Sequence, residues 1–477
     1  MRLWQDAFTF GSMPNYAPMI AVAFMGGVGI SKAHAFDVHL DSDTAFQSYE
    51  VRSPRGGAFL TRSRLLQNVA FRVVEPLSDD LKEGPQLSTV VQLRLDHDFG
   101  ESCLVGSSLC VVASDASAPG GYQPLFDPSV VDAPTAYVEI DAPAYRLRMR
   151  IGRQTLWDAL EIRRMDGAHA RMGMADWMAA EGYFGQMVRG NSVLGSETFA
   201  PEGRPRRDLD DIDPTLVAYL DNVGTTWMAG GALEVGEPRL MKMRLSMQEL
   251  WEAPGAVSRR LGMAVSSQPV EGLNLSAMSG WDLLDGTWFR ARGQAQLNLT
   301  GWGLQAELER RVPRFDWGSI WAFFEVAPIE EARLGGYWEQ SPALRLSAAV
   351  RGRMSHLPES TDRDVGLEAG ANVKAGRLRL DVHTFGWIGD MGPVSGAMLD
   401  VSHPLAHRFF VYVRSSVWYF DDPYRDVLEG VSLSEMLGTR WRITPQSSVV
   451  MELSHATNRV VGHRWRALAM LNIEAWR

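Results

Sequence analysis

From Phe36 onward the dominant regularity is a two-residue period of apolar and polar positions. Residues 377–384 place Leu378, Leu380 and Val382 on one side and Arg377, Arg379, Asp381 and His383 on the other. Over 287–300, Phe289, Ala291, Ala295, Leu297 and Leu299 oppose Arg290, Arg292, Gln294, Gln296 and Asn298. The same rule sets Val91, Leu93 and Leu95 against Gln92, Arg94 and Asp96, and Met241, Met243, Leu245 and Met247 against Lys242, Arg244, Ser246 and Gln248. It also sets Leu344, Leu346, Ala348 and Val350 against Arg345, Ser347 and Arg351. Successive side chains of a strand point to opposite faces, so each segment predicts a strand with one apolar and one charged face.

A soluble β-sandwich alternates too, but three features favour a barrel. The segments are longer than the strands of ordinary sheets. Short turns punctuate them at Ala142-Pro143, Gly236-Glu237-Pro238, Glu271-Gly272, Gly301-Trp302, Ser341-Pro342, Ala375-Gly376 and Thr444-Pro445, with longer polar connections at 100–134, 190–225 and 420–431 between. Trp157, Trp251, Trp281, Trp387 and Trp418 fall near the strand ends on the long-loop side, where an interfacial girdle would sit. The prediction is all-β: a transmembrane antiparallel up-and-down barrel of about 18–22 strands over 36–477, with short turns in the periplasm and long loops outside. Residues 174–189 read as strand or as amphipathic helix.

Ala17–Ile30 is an apolar run followed by Ser31-Lys32-Ala33-His34-Ala35, a small-x-small ending. It predicts a secretory signal peptide over 1–35, cut after Ala35, although Arg2 and Asp6 leave its first part not clearly basic. No later run is long and apolar enough for a helical anchor. Composition adds little: 22% charged residues and a mean hydropathy of −0.13 look soluble, yet a barrel strand keeps alternate positions polar. The net charge of −10 argues against nucleic-acid binding. Lys occurs only at Lys32, Lys82, Lys242 and Lys374, so the other basic residues are all Arg.

Turning each apolar face to lipid fixes the lumen side, because a lipid-facing Arg at the midplane costs roughly 2–4 kcal/mol. The predicted pore-lining residues are Arg94, Arg146, Arg148, Arg150, Arg244, Arg290, Arg292, Arg345, Arg351, Arg353, Arg377 and Arg379, joined by Lys242, Arg311 and Arg414. Asp96, Asp98, Glu307, Glu309 and Asp381 are the acidic residues assigned to the same side. This excess of Arg predicts anion preference, since low-dielectric walls focus the field; cross-strand salt bridges that merely fill the wall are the competing reading. Gly152 breaks the parity and would turn Arg153 to lipid unless a bulge intervenes.

Cys103 and Cys110 are spaced for a loop disulfide in an exported chain. Asp208, Asp210, Asp211 and Asp213 lack the glycine and glutamate of a calcium loop and read as a solvated loop. Neither Gly-x-Ser-x-Gly nor His-Glu-x-x-His occurs. Gly301-x-Gly303-x-x-Ala306 sits between two alternating segments and reads as a turn, and His403 and His407 flank Pro404 without a supporting ligand. No enzyme, cofactor or metal is expected.

Arg146-Leu-Arg-Met-Arg-Ile-Gly152-Arg153-Gln154, then Asp166-Gly167-Ala168 and Tyr183-Phe184-Gly185, resemble in order a stretch of Gram-negative outer-membrane porins of the alginate-export type and related substrate-specific porins. The resemblance covers Tyr145–Arg189 and implies an outer-membrane channel with charged residues at a constriction. The ending Ala475-Trp476-Arg477 departs from the terminal aromatic that barrel-insertion machinery reads. The expected function is diffusion of small, anionic solutes, with lipid, lipopolysaccharide and that machinery as partners. An export conduit for an anionic polymer, a non-conducting structural barrel and, last, an outer-membrane hydrolase are the alternatives.

Overall fold

The computed structural model describes residues 37–52, 58–77, 84–98, 129–158, 160–188, 226–237, 240–252, 255–312, 327–421, 429–458 and 462–476. The proposed signal segment, Cys103, Cys110 and the Asp208–Asp213 cluster lie outside them.

Twenty-two strands follow one another: β1 (Asp37–Arg52), β2 (Ala58–Pro76), β3 (Gln86–Asp98), β4 (Ser129–Ala142), β5 (Leu147–Trp157), β6 (Ile162–Ala175), β7 (Met178–Met187), β8 (Trp227–Glu237), β9 (Met241–Glu252), β10 (Gly255–Val270) and β11 (Leu273–Asp282). Then come β12 (Thr287–Leu299), β13 (Trp302–Arg311), β14 (Ile329–Ser341), β15 (Leu344–His356), β16 (Thr361–Ala375), β17 (Leu378–Gly389), β18 (Val394–Ala406), β19 (Phe409–Phe420), β20 (Gly430–Thr444), β21 (Ser447–Asn458) and β22 (Gly462–Trp476). Each pairs antiparallel with its chain neighbours, and β1 pairs with β22 from His39↔Trp476 to Tyr49↔Arg466. The sheet is thereby closed and leaves no edge strand to aggregate. Residues 178–187 are strand, settling the ambiguity over 174–189.

The predicted turns all fall at one end, the end that carries both the start of β1 and the finish of β22. The first is a 3-10 turn, Pro143–Tyr145, closed by Arg146 in the left-handed conformation (φ 51°). At Gly236, φ is +110° and a Cβ would lie 1.9 Å from the Met241 carbonyl oxygen, so only glycine fits. The opposite end is less uniform than expected. Connections there are long at 99–128, 188–226 and 312–328 but short at 158–161, 283–286, 357–360 and 390–393.

Apolar side chains cover the outside. Val131, Ile388, Leu308, Leu334 and Leu367 are all more than 60% exposed. Trp157, Trp227, Trp281 and Trp288 stand outward near the long-loop ends, with Phe184 stacked on Trp227 at 5.5 Å. Trp302 faces Trp338 across the ladder near the turn end.

Three expectations about facing need correction. Trp387 and Trp418 point into the lumen: Trp387 lies under Arg353, and Trp418 meets Phe385 edge-on at 4.9 Å. Phe289 also turns inward, because the β11–β12 register shifts between Gly280 and Trp281. A bulge lets two residues on one strand oppose one on the other, and it reverses the parity beyond it. Phe289 there fills the space left by the missing side chain of Gly280 and carries Arg260 over its ring at 5.3 Å.

Candidate functional site

Ten of the twelve predicted pore-lining arginines sit in strands facing the lumen; the other two, Arg146 and Arg377, fall in turns. Arg146 pairs there with Asp176 at 2.5 Å, and Arg377 follows Gly376 between β16 and β17. A strand start read one residue early accounts for both.

Most of the ten meet a carboxylate on a neighbouring strand. On β5, Arg148 reaches Asp141 at 2.7 Å and Arg150 reaches Glu139 at 2.5 Å. On β9, Arg244 lies 2.9 Å from Glu181, 3.1 Å from Glu234 and 3.7 Å from Asp158, while Lys242 holds the other oxygen of Glu234 at 2.5 Å. Across β12–β16, Arg290 pairs with Glu309 (3.7 Å), Arg292 with Glu307 (2.8 Å), Arg351 with Glu368 (2.7 Å) and Glu331 (3.6 Å), and Arg353 with Asp364 (2.8 Å). Arg414 pairs with Asp400 at 3.0 Å, and Arg94 stands in register with Asp132. Arg345 and Arg379 have no carboxylate partner among the described residues.

Along β4–β16 the lumen wall is therefore a mesh of opposite charges and not the excess of arginine that alternation alone suggested. The missed acids are Glu139, Asp141, Glu181, Glu234, Glu331, Asp364, Glu368 and Asp400, and missed basic members include Arg64, Arg171, Arg260 and Arg333. Their signal was present in the sequence: Glu139 and Asp141 alternate with Val138 and Ile140, and Asp362 and Asp364 with Arg363 and Val365.

Arg153 occupies the outward parity, as strict alternation required, and is neutralised by Asp166 through two contacts of 2.8 Å. Gly152 precedes it with φ at +126°. A Cβ at this position would come within 2.3 Å of the Ala136 carbonyl oxygen, and beyond that point the β4–β5 ladder ends.

The second component is the connection from β5 to β6, which folds into the lumen instead of standing above it. Asp158 donates its amide to the Glu161 carbonyl at 3.1 Å, closing a tight turn. Leu160 is buried against Gly262 of β10, where a Cβ would lie 2.6 Å from its Cδ2 atom. Glu161 then pairs with Arg260 at 2.6 Å, a partner 99 residues away and four strands further round the wall, and also with Arg163. Beneath the turn, Leu156, Met165, Tyr183, Met228 and Leu250 form the barrel's buried apolar cluster, with Gln248 donating to the Tyr183 hydroxyl at 3.2 Å. This side of the lumen is filled and ion-paired, whereas β14–β19 carry an open recess. Among the described residues no three His, Cys, Asp or Glu side chains converge as a metal site.

No protein-family model matches the chain, and no curated protein matches it. Among solved structures it is similar to OpdQ of Pseudomonas aeruginosa, at TM-score 0.44 and 8% identity over 92% of this chain and 98% of that one. Acinetobacter baumannii OccAB3 gives TM-score 0.43 at 8% identity over 93% and 100% of the two chains. OccK5 (OpdH) of Pseudomonas aeruginosa gives 0.43 at 7% over 93% and 98%. The resemblance to alginate-export porins gains no support from these comparisons. The chemistry available to the protein is that of its own wall: a closed 22-stranded barrel, apolar outside, lined largely by paired charges and entered, among the described residues, by the turn that carries Leu160 and Glu161.

Proposed function

We propose that the chain spans the outer membrane of a Gram-negative bacterium as a channel for small polar and charged solutes. The observation that carries this reading is the contrast between the two faces of one closed sheet. The outside is a continuous apolar surface that a bilayer solvates and water does not. The inside holds ionised side chains, which need water or partners. Outward charges collect at the long-loop ends, as in Arg259–Glu249 (2.7 Å) and Arg310–Glu330 (2.8 Å), where lipopolysaccharide phosphates would lie. Residues 1–35 direct export and are removed, insertion machinery places the barrel, and Cys103 and Cys110 close a disulfide in an outer loop.

Selectivity in this reading comes from particular places, not from a net positive lumen. Arg-lined pores favour anions when the arginines are unopposed. Here Glu and Asp sit within ion-pair distance of most of them, so any anion preference is modest. The test is a planar bilayer recording across a KCl gradient. Stepwise conductance with a reversal potential close to zero is expected; folded protein that inserts without conducting would overturn the channel.

A further inference from the structure

Along β3–β16 most lumen charges have an opposite partner within ion-pair distance. The recess on β14–β19 departs from this rule. It encloses about 740 Å³ and is lined by, among others, Glu339, Arg345, Lys374, Arg379, Asp381 and Asp400. Asp400 is taken by Arg414. Among the described residues, however, Arg345, Lys374 and Arg379 have no carboxylate partner, and Glu339 and Asp381 have no cationic one.

The local packing explains why these opposite charges do not neutralise one another. Arg345 stands in register with Glu339, yet its guanidinium lies 3.6 Å from the centre of the Tyr337 ring. Tyr337 is itself pinned: it rests on Gly303, where a Cβ would come within 2.4 Å of the ring, and its hydroxyl donates to Asn298 at 3.3 Å. Asp381 accepts from the Asn372 side-chain amide, which satisfies an oxygen but not the charge. Lys374 and Arg379 oppose each other directly across β16 and β17, a like-charge apposition that costs stability unless an anion sits between. Neighbouring strands are about 4.8 Å apart, so the positive and negative groups of the row Arg345–Asn372–Asp381 stand within reach of one small molecule.

We propose that this recess binds a small zwitterion, its carboxylate among Arg345, Lys374 and Arg379 and its ammonium on Asp381 and Glu339. A solute of one sign would satisfy half of the group and leave the other half uncompensated. The proposal rests on the channel reading only in that the lumen must be open to solutes. Free amino acids and short peptides share the required chemistry and differ in the separation of their charges.

The experiment is equilibrium binding to the full chain, folded in detergent, by saturation-transfer NMR. L-alanine and glycylglycine are the two zwitterions, with lactate and isopropylamine as single-charge controls. Both zwitterions are expected to bind at least about tenfold tighter than either control. The tighter of the two identifies an amino acid or a peptide as the source. Asp381→Asn and Lys374→Met should each weaken zwitterion binding about tenfold while the heat-modifiable gel migration of the folded barrel persists. Lactate binding as tightly as the zwitterions, or no binding by either zwitterion, would overturn the proposal. Bilayer conductance of the same preparation separates the two readings: binding without conductance sinks the channel and keeps the site, and conductance without binding does the reverse.

Discussion

Gly262 and Gly152 owe their roles to absent side chains. Gly262 leaves the hollow that Leu160 enters, so a bulky residue there would lift the β5–β6 turn off the wall. Gly262→Leu is expected to raise single-channel conductance in KCl, and Glu161→Gln, which loosens the same turn by removing its charge from Arg260, should do so to a smaller degree. Unchanged conductance in both would mean that the turn does not narrow the path. Gly152 tests the backbone instead. With φ at +126° and a carbonyl oxygen 2.3 Å from any Cβ, Gly152→Ala should cost about 1–3 kcal/mol, read from urea unfolding in lipid.

Individual strands were the most legible level in the sequence, and the reason is physical. A wall one residue thick, with lipid on one side and water on the other, imposes strict alternation, so Leu378, Leu380 and Val382 could be placed without any partner. What alternation cannot supply is register. Arg351 declares its face, but that Glu368 lies 2.7 Å from it and also takes Arg333 at 3.1 Å depends on how β14, β15 and β16 slide together. The bulge that turns Phe289 inward is equally silent in the sequence. So is the turn at 158–161, whose inward course is set by contacts with a strand about a hundred residues later. The lipid-facing assignment has its own test. Leu367 is 62% exposed on the outside of β16, and Leu367→Arg should destabilise the barrel by roughly 2–4 kcal/mol in lipid. The neighbouring lumen-side Glu368→Gln should cost less there.

Considered as a whole, the molecule balances its interior charge by position. Glu368 compensates two arginines at once, so Glu368→Gln should leave Arg333 uncompensated and Arg351 with Glu331 alone at 3.6 Å, and move the reversal potential towards that of chloride. A wild-type reversal potential already close to that of chloride would contradict the balance. The ion-pair mesh stiffens the wall along β4–β16, and the recess on β14–β19 keeps charges of both signs available to solutes.

The seam between β1 and β22 joins chain segments more than four hundred residues apart; Asn472 donates to Asp43 at 2.6 Å across 429 positions. Contacts of such separation are slow to find, so closure of this seam should be the late event of assembly, with a long-lived open sheet before it. Because the two terminal strands are neighbours on the same rim, nothing in the pairing distinguishes this seam from any other. A circular permutant with residues 37 and 476 joined by a short linker and the chain opened between β19 and β20 should reach the same barrel, its last-closing seam moved to Phe409–Phe420 against Gly430–Thr444. The order in which the wall is assembled would then be a property of where the chain is cut, not of the wall.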